Sequence, residues 1–290
     1  MVEAAFVQQI QQAYPELNIT SVRLLPHYGQ FSEVLVINEA LIFRFPRTPH
    51  VAKDMASEVL LLRQLQGRLP LPIPNPVYEA WQPETGELIF MGYPMLPGEP
   101  LWRETMSAIQ DEVVLDQLAD QLAGFLRVLH AIPLDSLENL APVGETPAYW
   151  QELYTAFREK LYPYIRVDAQ AAISANFEAF LADAELQAFV PQLRHGDFGT
   201  GNILYDAKTQ RISGIIDFSF AGPGDVAQDV GALGGYGETF LERCFRVYPE
   251  MRHTLKRVEF IRSTYALQQA LYALRDGDQA EFEDGIADYI

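Results

Sequence analysis

The chain reads as an α+β protein in two unequal lobes, a five-stranded antiparallel N-terminal lobe and a larger, mainly helical C-terminal lobe. Three observations carry this reading. Short β-branched and aromatic runs separated by turn residues crowd residues 1–93; the proline- and glycine-containing segment "YPMLPGEPL" follows them; and beyond it the apolar residues recur at helical spacing.

The elements follow in order. Phe6, Val7, Ile10 and Tyr14 keep the helical period and predict a first helix from Glu3 to Tyr14. The runs "ITSVRLL", "EVLVIN" and "ALIFRF" predict a three-strand meander, with "PHYGQFS" and Asn38-Glu39 as its turns. Val59, Leu62 and Leu65 return to helical spacing between Val51 and Leu69. After the proline-rich "LPLPIPNP", two strands flank the turn "PETGE", the second ending near "LIFMGY". Residues 94–100 are the expected hinge, because prolines at 94, 97 and 100 and Gly98 oppose both helix and strand pairing. In residues 101–290, Val114, Leu118, Leu122, Phe125 and Leu129 mark a strong amphipathic helix. Further helices are expected at 147–164, 169–188, 237–248 and 251–275, interrupted only by the strands "ILYD" and "RISGIID".

With 49% hydrophobic and 21% charged residues, the composition is that of an ordinary globular protein and excludes an extended disordered chain. No uninterrupted apolar run of about 18 residues is present, and the N-terminal segment lacks a signal-peptide pattern. A cytoplasmic protein, monomeric or weakly dimeric, is therefore expected, and the lone Cys244 agrees with a reducing compartment. The formal net charge of −18 argues against nucleic acid or an anionic membrane as partner. Residues 1–92 carry 6 basic and 9 acidic side chains, so −15 of the −18 lies in residues 93–290.

The chemistry concentrates in "LRHGDFGTGNILYD", Leu193 to Asp206. Its Gly196…Gly201 frame is not a P-loop, because Asn202 and Ile203 stand where lysine and a hydroxyl residue would hold phosphate and metal. Asp197 and Asn202 lie five apart in a loop, and Asp217 closes the next strand, "ISGIIDF". Phosphoryl transfer needs a carboxylate that orients the attacking hydroxyl and oxygen ligands that hold magnesium on nucleotide phosphates; this spacing supplies both.

"HGDFGTGNIL" together with "GIIDFSFAGPGDVAQDVGAL" resembles the aminoglycoside phosphotransferase family, over nearly the whole chain. The resemblance implies a bilobal protein-kinase-like fold, ATP or GTP with Mg2+ between the lobes, and a small-molecule hydroxyl acceptor on the helical lobe. It implies Asp197 as the catalytic base and Asn202 and Asp217 as metal ligands. His195 then has a structural part, and Asp225 and Asp229 cap and brace a helix. Arg44 stands where kinases place lysine, with Glu58 as its partner carboxylate; of a phosphate-covering loop the sequence keeps only Gly29 and Ser32, and the hinge at Tyr93 and Met95 presents main-chain groups to the purine. The acidic second lobe favours a cationic acceptor such as an aminoglycoside, with Glu238 and Glu242 as candidate contacts and the C-terminal run from Asp276 to Asp288 as a further one. Against this, "GALGGYGETF" has Gly234 and Gly235 where aminoglycoside-binding relatives tend to carry acids. "FRFPRTPHV" and "GDVAQDV" resemble macrolide phosphotransferases, whose acceptor would need an apolar wall; Tyr236, Phe240, Tyr265 and Tyr272 are candidates for it. A metabolite kinase for an amino alcohol or sugar, and a nucleotide-binding module without turnover, complete the alternatives.

Overall fold

A computed structural model describes residues 2–25 and 31–290. Helix α1 spans Val2–Ala13, and strands β1 (Val22–Leu24), β2 (Ser32–Ile37), β3 (Leu41–Pro46), β4 (Tyr78–Trp81) and β5 (Leu88–Pro94) form one antiparallel sheet in the order β1-β2-β3-β5-β4. Helix α2 (Pro49–Leu65) is inserted after β3, its start fixed by the Thr48 hydroxyl accepting from the Val51 amide and by Pro49 in the first turn. Strand alternation then places the side chains. Phe43 and Phe45 of β3 pack with Ile10 of α1 on one face of the sheet, while Met55 and Val59 of α2 cover the other face. Arg44, between the two phenylalanines, points to the α2 face and meets Glu58.

The hinge departs from expectation. β5 runs on to Pro94, and β6 (Glu99–Pro100) pairs with β8 (Ile203–Asp206), which pairs in turn with β9 (Arg211–Ile215). Proline did not prevent this, because β6 is an edge strand and Gly98, at φ +101°, brings the chain close: a Cβ there would sit 2.7 Å from the Tyr205 carbonyl oxygen. The hinge is thereby stitched to the hairpin that follows the Asp197 loop.

The helical lobe is built on α3 (Arg103–Ala108), α4 (Glu112–His130), α5 (Pro147–Ala156), α6 (Val167–Ala182) and α7 (Ala184–Gln187), and closes with α8 (Ala227–Leu233), α9 (Glu238–Val247), α10 (Leu255–Asp276) and α11 (Gln279–Ile286). The expected helix at 147–164 continues past α5 through a π turn at Phe157–Leu161 and a 3-10 turn. Two strands too short to read from the sequence, β7 (Gln192–Arg194) and β10 (Gly222–Gly224), pair with each other and flank the site loops. Leu61, Leu62 and Leu65 of α2 belong to the same apolar core as α4 and α5, so α2 spans both lobes.

The acidic C-terminal run is not a loose tail. It forms α11, which buries Phe282 and Ile286 against α10. A Cβ on Gly285 would lie 2.7 Å from the Ala266 carbonyl oxygen and 2.8 Å from the Ala270 amide, so the two helix backbones touch there. Gly285→Val should therefore lower stability by about 1–3 kcal/mol, since rigid backbone opposes the added methyls; a denaturant midpoint unchanged from the parent protein would refute this packing.

Candidate active site

Asp197, Asn202 and Asp217 converge at the mouth between the lobes, held by two buried carboxylates. The first is Asp229 on α8. Its Oδ2 accepts from the His195 amide at 2.9 Å and from His130 Nε2 at 3.0 Å, and its Oδ1 accepts from the Gly196 amide at 2.8 Å. Burial would raise its pKa, but these donors, the His130 ring foremost, outweigh burial and hold the Asp229 carboxyl below the usual carboxylate range. Gly196 must be glycine at φ +84°, and its Cα approaches the Phe220 carbonyl too closely for a side chain. His195 is structural: Nε2 donates to the Ile216 carbonyl at 3.1 Å and Nδ1 accepts from the Asp197 amide at 3.3 Å, which assigns the Nε2-protonated neutral ring.

Asp197 then opens into the cleft. Asn202 Nδ2 donates to Asp197 Oδ2 at 2.8 Å and to the Asp197 main-chain carbonyl at 2.9 Å, fixing the carboxylate and leaving the Asn202 side-chain Oδ1 free among the described residues. Enclosure by surrounding protein raises the Asp197 pKa, aided by the Asp217 and Asp229 charges and opposed by His195 and the Asn202 bond.

The second buried carboxylate is Glu58. It accepts from Arg44 Nη1 at 2.9 Å, from the Phe218 amide at 3.1 Å and from the Ser219 hydroxyl at 2.9 Å. Arg44 Nη2 reaches Ser219 Oγ at 3.1 Å and Asp217 Oδ1 at 3.4 Å. Burial alone would favour discharging Arg44, yet Glu58 and Asp217 outweigh it and raise its pKa. The same guanidinium holds Asp217 below the usual carboxylate range against desolvation. Asp217 sits at φ +61°, uncommon outside glycine, with the Ser219 amide and hydroxyl bonded to its Oδ1. Its Oδ2 has no protein partner among the described residues. Two free hard oxygens, from Asn202 and Asp217, suit magnesium, which takes one or two protein ligands and completes its shell with water and phosphate.

Ser32 is buried beside Arg44, with Arg44 Nε 3.5 Å from its hydroxyl. Gly29 lies outside the described residues. The hinge reading changes. The Met95 amide donates to the Ala40 carbonyl at 2.8 Å, which sets the phase of the β3–β5 ladder, so Tyr93 and Met95 both turn main-chain groups toward β3. The groups that turn outward are the Pro94 carbonyl and the Leu96 amide.

A cleft of 610 Å³ opens beside Asp197, floored by α8 and α10. Tyr265 and Tyr272 line it, whereas Tyr236 and Phe240 are core, the Tyr236 hydroxyl bonding the Leu101 carbonyl. Glu238 and Glu242 do not line it: their helix α9 packs on α4, and Glu242 pairs with Arg252 on the surface. None of the acids from Asp276 to Asp288 reaches it either; Glu281 and Asp284 stop at the Gln269 amide. At the opposite wall, Arg194 pairs through Nε and Nη2 with Glu145 at 2.8 and 2.6 Å, and through Nη1 with the Phe220 carbonyl. Asp225 caps α8 at the Ala227 amide and pairs with Arg257, as a bracing residue should. Glu145, Ser219 and the loop-holding part of Asp229 escaped sequence reasoning, because each acts through contacts between 30 and more than 160 residues apart for which the sequence has no local signal.

Residues 22–260 match the phosphotransferase enzyme family. The chain belongs to that family. It is 34% identical over 272 residues to viomycin phosphotransferase of Streptomyces vinaceus, covering 92% of each chain. Among solved structures, the GDP and kanamycin complex of APH(2")-IIia superposes with a TM-score of 0.89 at 25% identity, covering 98% of this chain and 96% of that one. Macrolide 2'-phosphotransferase type I shares the fold, with a TM-score of 0.72 at 22% identity over 99% and 97%. The phosphotransferase thus has the kinase-like fold and is a small-molecule kinase by family; the relatives named include a viomycin phosphotransferase and a structure holding GDP and kanamycin. Among the described residues no helix is long and apolar enough to cross a membrane.

Asp229→Asn would replace an acceptor by a donor facing amide and imidazole donors. The phosphotransferase should lose about 2–4 kcal/mol, readable by denaturant unfolding at neutral pH. The pH sign follows from the lowered pKa: the unfolded chain binds this proton first, so the Asp229 contribution is whole above the ordinary carboxylate pKa of about 3.9 and is lost as pH falls through the folded value. In Asp229→Asn that part of the acid-induced loss should vanish.

Proposed function

We propose that the protein transfers the terminal phosphoryl group of magnesium-bound ATP or GTP to a hydroxyl of a cationic antibiotic, with Asp197 as the base. The observation that carries this is the grouping of Asp197, with its Asn202 clamp and its place on the cleft wall, with the neighbouring Asp217, which has a free oxygen. Asp197 orients the acceptor hydroxyl and takes its proton as the oxygen–phosphorus bond forms and the nucleoside diphosphate leaves. Magnesium, held by Asn202 and Asp217 when bound, neutralises charge on the phosphates. Arg44, steered by Glu58, adds a cation on the same side, and the Pro94 carbonyl and Leu96 amide face the base.

The 34% identity to viomycin phosphotransferase over 92% of both chains favours an acceptor of the viomycin kind. An aminoglycoside is the second reading, favoured by the likeness to the kanamycin complex. Retention of Asp197, Asn202 and Asp217 at one cleft argues against a module without turnover.

Asp197→Ala should cut kcat by about 10²–10⁴ and leave nucleotide affinity within a few fold, because the base touches the acceptor and not the nucleotide. Asp217→Ala should weaken magnesium-dependent nucleotide binding and turnover together. Single-turnover assays with fluorescent nucleotide titrations separate the two; near-parental turnover in Asp197→Ala would remove it from the mechanism. Arg44→Lys should retain part of the activity, and Arg44→Ala should lose most of it and destabilise by about 3–5 kcal/mol, since Glu58 is then buried without its partner charge. Equal activity and stability in all three proteins would place Arg44 outside the site.

A further inference from the structure

The cleft beside Asp197 is lined by two carboxylates, Glu145 and Asp197, and two guanidinium groups, Arg194 and Arg262. Three of the four are engaged. Arg194 is held by Glu145 and the Phe220 carbonyl, and Asp197 by Asn202. Arg262 is different: among the described residues it has no hydrogen-bond or ion-pair partner, although it stands on α10 one turn from Tyr265 in the cleft wall.

The residue is exposed, but its side chain rests on the α8 end. The stem lies along α8, with Cγ 3.5 Å from where a Cβ on Gly231 would stand and Nη1 3.4 Å from that of Gly234. Gly234, with Gly235, is one of the glycines of "GALGGYGETF" that stand where acids were expected. A side chain at Gly231 would also collide with the Tyr265 hydroxyl, at 2.7 Å. The Arg262 side chain thus lies in van der Waals contact with the α8 end, and a cation occupies a wall that a polycation-binding cleft would line with carboxylates.

We propose that Arg262 is a specificity-determining residue that docks a carbonyl oxygen, of an amide or a carboxylate, carried by the acceptor near its reacting hydroxyl. This rests on the reading that the cleft at Asp197 receives the acceptor. A planar guanidinium offers a two-pronged donor that matches carbonyl and carboxylate oxygens, and lacks any acceptor for an ammonium group. Gln228 on the α8 wall extends a surface suited to amides, whereas the Gln268 amide is taken up by Tyr149, Thr264 and Tyr272. An ammonium brought to this wall would meet a like charge, so Arg262 also selects against aminocyclitols bearing only amines and hydroxyls.

The test uses Arg262→Gln, Arg262→Lys and Arg262→Glu in the full chain. With viomycin as acceptor, Arg262→Gln should raise KM about tenfold or more while kcat moves less than about threefold and nucleotide affinity is unchanged, and Arg262→Lys should fall between. Arg262→Glu should lower the KM for kanamycin relative to the parent protein. An unchanged viomycin KM in a Gln variant that melts like the parent would overturn the proposal, as would an equal loss of nucleotide affinity, which would make Arg262 a phosphate ligand. A second arm does not depend on turnover: ligand-detected NMR with N-acetylserinamide, an uncharged hydroxylated diamide, and 2-deoxystreptamine, a diamine. The parent should bind the first in preference, and Arg262→Gln should lose it. Preference for the diamine, or binding of neither, overturns the subsite. Should the parent phosphorylate no antibiotic, the functional reading fails by itself, and the NMR arm still decides on Arg262.

Discussion

Burying the Glu58 carboxylate between the lobes is the constraint around which the site is organised. A carboxylate taken out of water is costly unless it is paired and saturated with donors. Glu58 finds its donors on elements far apart in sequence: Arg44 on β3, and the Phe218 amide and Ser219 hydroxyl after β9. Satisfying it therefore fixes α2 against the sheet and the sheet against the helical lobe in one step. It also explains arginine at position 44. One guanidinium reaches Glu58 through Nη1 while Nη2 reaches Ser219 and Asp217, a span that a single ammonium covers less well.

Asp229 does for the Asp197 loop what Glu58 does for the lobe junction. The loop from His195 to Asn202 has no regular ladder of its own beyond a short 3-10 turn, so its amides need partners elsewhere. Asp229 takes two of them and a histidine besides, and Gly196 supplies the left-handed turn that lets successive amides face one carboxylate. The positions of Asp197 and Asp217 thus depend on two buried acids that do not themselves open into the cleft, and the acceptor wall is joined to the same frame through Glu145, which bonds both Arg194 and the Asp225 amide.

The five strands of the first sheet, α4 and the convergence of Asp197, Asn202 and Asp217 were legible in the sequence, because each rests on local periodicity or on a spacing within one loop and hairpin. The β6, β7 and β10 strands were not. They are two or three residues long, β6 and β10 contain proline or glycine, and all three exist only because a distant strand completes the ladder. The hinge failed for a related reason: which of its main-chain groups turn outward is a matter of ladder phase, set by the Met95–Ala40 bond and invisible in composition.

Net charge misled in an instructive way. The −15 carried by residues 93–290 suggested an acid-lined acceptor site, yet the cleft holds as many guanidinium groups as carboxylates. The acids lie where helices face water. Glu112 and Asp116 pair with Arg243, Glu242 with Arg252, and α11 turns its carboxylates outward while Phe282 and Ile286 pack inward. A helix sorts its residues by face, so a lobe of many helices can be strongly acidic while few of its acids reach the cleft. What the cleft presents is decided instead by the glycine backbone at the end of α8 and the projecting face of α10, where the Arg262 guanidinium lies against it. Bulk charge therefore bears on solubility and on how a cation approaches, while what the cleft itself presents to a ligand comes down to a few side chains whose placement depends on backbone contact.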